Sequence, residues 1–113
     1  TNIMLDTNIL KSALQRVSIL ANEKFKGVRI DINNNKITIS AENPEQEQAV
    51  EEIDVDDSGA NLSIGFNVSY LIDAVNACKG ELVSLGVNDE NTSALITDPS
   101  DPNTKYVVMP MRL

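Results

Sequence analysis

Few residues in this chain are suited to covalent chemistry. Cys78 is the only cysteine, and histidine is absent. A thiol without an imidazole lacks its usual activating base, and the commonest metal ligand is missing too. Gly27, Gly59, Gly65, Gly80 and Gly86 stand apart, so no glycine-rich phosphate loop is present. Acids such as Asp54 or Asp73 could hold a divalent cation, although a solvated carboxylate is the commoner state. The expectation is no catalytic residue, no cofactor and no metal. Cys78 falls on an apolar helical stripe and reads as a small buried hydrophobe.

The chemistry that remains is recognition. The last eight residues, Tyr106 to Leu113, read YVVMPMRL. Tyr and Val favour strands. Period two sets Val107, Met109, Met111 and Leu113 on one face, and Tyr106, Val108, Pro110 and Arg112 on the other. Pro110 has no N–H to give to a ladder and suits an edge or a strand end. Methionine is flexible and polarizable, and it recurs on surfaces that accept varied apolar partners. A chain end, an edge and adaptable apolar side chains together suggest a docking groove. The plainer alternative is a last core strand that happens to be apolar.

Composition bounds what can carry that strand. A chain of 113 residues suffices for one domain. No apolar run reaches the roughly 18 residues of a membrane span, and no signal peptide is visible. One thiol, with no partner for a disulfide, fits a cytoplasmic protein. The net charge of −8 is uneven: residues 1–36 hold six Lys and Arg against three acids, while residues 37–78 hold nine acids and no base. Overall acidity argues against simple polyanion binding, but the asymmetry permits one basic and one acidic face.

In chain order, Ile3 to Leu5 read as a strand and Asp6 as an N-cap. A helix follows from Thr7 to Ala21. Leu10, Ala13, Leu14, Val17 and Ala21 form its buried stripe, with Ile9 and Leu20 at the margin. Lys11, Gln15, Arg16, Ser18 and, unexpectedly, Ile19 lie opposite. Val28–Ile32 and Lys36–Ser40 flank an Asn33-Asn34-Asn35 turn, a hairpin signal. Glu47 to Asp56 is a further strand, whose row Glu52, Asp54 and Asp56 would protect a sheet edge. Leu62–Phe66 leads through the cap Asn67 into a second helix with Val68, Leu71, Ile72, Val75 and Cys78 buried. Gly80 is expected to end it with a positive φ. Strands at Leu82–Val87 and Thr92–Thr97 precede a loop, Asp98 to Pro102, and the terminal strand.

The halves correspond. A shift of 61 residues sets Ile3 on Ile64, Leu5 on Phe66, Asp6 on Asn67, Leu10 on Leu71, Ala13 on Ala74 and Leu14 on Val75. Two βαβββ units would make an α+β domain with two helices side by side on one face of antiparallel sheet.

Four stretches, SILANEKFKGVRI (Ser18 to Ile30), NPEQEQA (Asn43 to Ala49), IGFNVSYLIDAVNA (Ile64 to Ala77) and the terminal YVVMPMRL, resemble the C-terminal third of the bacterial replicative sliding clamp, the DNA polymerase III beta subunit family. The resemblance implies the DNA-clamp fold and makes residues 1–113 the last of three domains. Two such subunits, a homodimer, close around duplex DNA as a sliding ring with no catalysis. DNA polymerase III alpha, clamp-loader subunits, other polymerases and repair proteins dock through short linear motifs of a Gln followed by apolar and Phe positions. Carried over to this sequence, the docking pocket takes Asn67, Tyr70, Ser93, Val107, Met109, Pro110, Met111 and Arg112. Ile19, Leu20, Glu45, Glu47 and Glu51 fall at the ring-closing interface, thinned by Gln48 and Val50 in an otherwise acidic run. The implied duplex-facing bases are Lys11, Arg16, Lys24 and Lys26. Against this stands an unrelated α+β module that binds partners by strand addition.

Overall fold

Two βαβββ repeats build the fold, and each lends its first strand to the other. The computed structural model describes residues 2–20, 27–33, 35–42, 48–55, 61–87 and 93–111, with backbone alone for Leu20 and Glu42. The first repeat comprises β1 (Asn2–Asp6), α1 (Thr7–Leu20), β2 (Gly27–Asn33), β3 (Lys36–Glu42) and β4 (Gln48–Asp54). The second comprises β5 (Leu62–Asn67), α2 (Val68–Ala77), β6 (Leu82–Gly86), β7 (Ala94–Asp98) and β8 (Asp101–Val108). One sheet is ordered β1-β6-β7-β8 and the other β4-β3-β2-β5. Every pairing in them is antiparallel.

The exchange is visible in the register. Ile3 faces Leu85 and Leu5 faces Val83, across from the first repeat into the second. Ile64 faces Ile30 and Phe66 faces Val28, in the opposite sense. Hydrophobic alternation therefore fits, because each borrowed strand turns its apolar side to the same core as its hosts. That core takes Leu10, Leu14 and Val17 from α1, Val68, Leu71 and Val75 from α2, and the inward rows of both sheets. The α+β class expected above is the one observed. The antiparallel layer is two four-stranded sheets, with the helices packed side by side.

Both helix starts are capped by the residues that the sequence nominates. Asp6 Oδ1 accepts from the Ile9 amide at 3.0 Å, and Asn67 Oδ1 from the Ser69 amide at 2.9 Å. Each satisfies an amide that the helix itself leaves without a partner. The Asn hairpin is also present, closed by the Asn33–Lys36 pair, and the Asn35 carbonyl accepts from the Val55 amide at 3.0 Å. Ile9, expected at the margin of the stripe, is exposed. Ala21 and Asp56 lie outside the described residues.

The end of α2 differs from expectation. Cys78 is the C-cap, with an extended backbone at φ −83°, ψ 124°. Gly80 does not supply a left-handed residue; it makes room. A Cβ there would sit 2.6 Å from Ser100 Oγ and 2.7 Å from Asp98 Oδ1. The buried Asp98 carboxylate accepts from the Lys79 and Gly80 amides at 3.0 and 3.2 Å, and from the Ser100 amide and hydroxyl at 2.9 and 2.6 Å. One side chain thus ties the exit of α2 to the β7–β8 turn. The Ser100 hydroxyl, then the Ser100, Lys79 and Gly80 amides, outweigh burial and hold the carboxyl down to about 2, from an ordinary 3.8.

Candidate functional site

The terminal segment is placed by two attachments. β8 begins at Asp101, earlier than the octapeptide, and ends at Val108, so the expected Asp98–Pro102 loop is largely strand. Pro110 lies beyond it, as a residue without an N–H should. The chain then crosses to the other sheet, where the Met111 amide donates to the Gly65 carbonyl of β5 at 2.8 Å. The bridge is a single antiparallel pair, so this segment meets β5 two residues before the Asn67 cap. On its other side Met109 Sδ accepts from the Ser93 hydroxyl at 3.0 Å, just ahead of β7.

The segment therefore bridges the two sheets at the start of α2, with its apolar side chains left in solvent. Met109 is 67% exposed and Met111 40%. Val107 is exposed on the outer face of the sheet, paired with exposed Leu95 of β7. Tyr70, in the first turn of α2, is exposed as well. Val108, by contrast, is buried. The reading of a wholly interior last strand does not hold. Ser93 meets Met109, and Met111 meets Gly65, through specific contacts; Asn67 lies two residues beyond Gly65 on β5, and Tyr70 follows one helical turn after that cap. Arg112 lies outside the described residues. Leu95, which the resemblance does not include, extends the exposed apolar surface beside Val107, and the alternation Ala94-Leu95-Ile96 already marks it as the outward residue of that strand.

The other residues expected to make contacts fall on α1 and β4 or outside the described residues. Ile19 is 86% exposed at the end of α1, as the wheel requires. The side chain of Leu20, and Glu45, Glu47, Lys24 and Lys26 altogether, lie outside the described residues. Lys11 is half-buried. Arg16 and Glu51, assigned above to different surfaces, meet: Arg16 Nη2 stands 2.6 Å and Nε 2.8 Å from Glu51 Oε1. Their meeting has a simple origin. α1 packs over β3 and β4, and Glu51 shares the inner face of β4 with Ile53. The outer face of that edge strand carries Glu52 and Asp54, and Lys36 reaches Glu52 at 3.2 Å.

Among the described residues no three His, Cys, Asp or Glu side chains gather as a metal site. Cys78 is buried, and its Sγ donates to the Ala74 carbonyl at 3.5 Å. Burial first, then the charge of Asp98, push its thiol up, with Lys11 opposing. A thiol so placed is a poor nucleophile.

Over residues 1–112 the sequence matches the family described as DNA polymerase III beta subunit, C-terminal domain. The chain belongs to this family. The Escherichia coli K12 beta sliding clamp is 50% identical over 106 residues, covering 94% of this chain and 29% of that protein. A Pseudomonas aeruginosa sliding clamp, solved bound to griselimycin, superposes with a TM-score of 0.93 at 45% identity, over 99% of this chain and 30% of that one. Caulobacter crescentus pol III beta gives 0.93 at 36% identity, over 99% and 30%. The chain thus spans about three-tenths of the length of the relatives it matches. Family membership replaces the unrelated-module alternative. Among the described residues no helix is long and apolar enough to cross a membrane.

Proposed function

We propose that this chain is the last of three domains of a DNA sliding clamp, and that it contributes docking and ring closure without catalysis. Its terminal segment forms one side of a receptor for linear motifs carried by polymerases, clamp-loader subunits and repair proteins. The observation that carries this reading is the bridge from β8 to β5, which holds Met109 and Met111 in solvent beside Asn67 and Ser93. A pocket shared with the preceding domain gives the isolated chain weak affinity, because a docked peptide leaves apolar surface wet. Ile19 and the β4 edge meet the next subunit of a homodimeric ring. The first-helix bases face duplex DNA, making phosphate contacts that loosen with salt. Such a protein acts in the cytoplasm, where bacterial DNA is copied.

The test is an NMR titration of this chain with a peptide of Gln-Leu-x-Leu-Phe type at millimolar concentration. The methyl signals of Met109 and Met111 and the ring of Tyr70 are expected to shift together, while Met4 stays still. Absence of movement at all three overturns the docking reading.

A further inference from the structure

The contact between Ser93 and Met109 does more than position a side chain. A thioether sulfur is a weak acceptor, yet a hydroxyl donates to it at 3.0 Å on a side chain that is 67% exposed. Exposure governs how readily methionine is oxidised, and the sulfoxide is polar, chiral and reversible by dedicated reductases. A hydroxyl at that distance can also donate to oxygen arriving at the sulfur, and afterwards to the sulfoxide oxygen, a far stronger acceptor.

We propose that Met109 is a reversible oxidation site for peroxides, with Ser93 stabilising the oxidised form, and that its oxidation switches off the docking surface. The second half of this proposal rests on the docking reading above. In the step itself, Met109 Sδ attacks one oxygen of the peroxide. The S–O bond forms as the O–O bond breaks; sulfur loses an electron pair and the peroxide is reduced. With hydrogen peroxide the departing oxygen leaves as water, carrying both protons. The product sets a strong dipole where an apolar partner side chain must sit. Burying it against that partner costs desolvation that the thioether does not incur. Met4 on β1 provides an internal comparison: it is 45% exposed and belongs to no part of the proposed receptor.

The experiment exposes this chain to limiting hydrogen peroxide and maps sulfoxide by mass spectrometry over time, followed by titration with the Gln-Leu-x-Leu-Phe peptide. Met109 is expected to oxidise ahead of Met4 and Met111, and Ser93→Ala to narrow that lead. The oxidised chain should bind the peptide on the order of tenfold more weakly, as follows from desolvating one new polar group. Methionine sulfoxide reductase should restore binding, and Met4→Leu should leave the loss in place. Oxidation of Met4 or Met111 ahead of Met109 overturns the site. Equal peptide affinity before and after oxidation overturns the switch. If the reduced chain binds no peptide, the docking reading and the switch fall together, while the order of oxidation still decides the site.

Discussion

Arg16 on α1 and Glu51 on β4 share a single oxygen: Nη2 and Nε of the guanidinium lie 2.6 and 2.8 Å from Glu51 Oε1. The pair binds the last turns of the first helix to the edge strand beneath it. A base proposed to face duplex DNA and an acid proposed to face a neighbouring subunit therefore compete for one another before either meets its partner.

That pair is half in solvent, so its coupling should be small. In a double-mutant cycle with Arg16→Ala and Glu51→Ala, the expected interaction is below about 1 kcal/mol by chemical denaturation. It should fade in 1 M salt, where screening acts within about 3 Å. A coupling that is large and insensitive to salt would contradict the exposed geometry.

Asp98 makes the fold sensitive to acid. Its carboxyl titrates at about 2 in the folded chain against an ordinary 3.8, so the folded state prefers the charged form. The stabilisation is complete above the ordinary value and is lost as pH falls toward the folded one. The stability gap between the native chain and Asp98→Asn should be constant above that window and shrink within it. Thermal melts of both proteins across the acid range measure this; a gap independent of pH refutes it.

Gly80 should tolerate no side chain. An alanine methyl would press on Ser100 Oγ and Asp98 Oδ1 at 2.6 and 2.7 Å. Gly80→Ala is expected to cost about 1–3 kcal/mol, the usual range for forcing atoms into filled space. Had Gly80 served only as a flexible cap, the penalty would come from φ. Gly80 does not adopt a positive φ, which removes that explanation. Urea denaturation of Gly80→Ala beside Gly86→Ala compares two crowded glycines, since a Cβ at Gly86 would sit 2.8 Å from Asn2 Oδ1. A neutral Gly80→Ala would show that the Asp98 cluster yields easily.

The proposed interface role of Ile19 predicts that folding and assembly respond separately to its truncation. The side chain touches little in this chain, so Ile19→Ala should change stability by no more than about 0.5 kcal/mol. In a three-domain ring of the proposed kind the same change should weaken self-association, read by sedimentation. Loss of folding stability without loss of assembly would assign Ile19 to the domain's own packing.

Much of this was readable in the residues. Asp6 and Asn67 announce helix starts through short acceptors ahead of apolar stripes, and the stripe alone isolates Ile19. Alternation marks the inner position of Glu51, but it does not describe β8, where the neighbours Tyr106 and Val107 are both exposed and Val108 is buried. What alternation cannot supply is a partner: it says which face of β1 is buried, not that β6 lies beside it rather than β2. The pairing of Arg16 with Glu51, 35 residues apart in sequence, depends on that same tertiary arrangement. Asp98-Pro99-Ser100 does carry a local signature, an Asp whose side chain meets the backbone two residues on. Its further bonds to Lys79 and Gly80 come from packing.

The reciprocal loan of β1 and β5 also bears on how such a molecule could arise and be divided. Cut between β4 and β5, neither half keeps a first strand in its own sheet, so each fragment would present a vacant slot shaped for the other. Two copies of a single ancestral unit could fill those slots mutually, in the manner of a swapped dimer. The present chain has the topology of that pair joined end to end, and its separated halves should reconstitute when mixed.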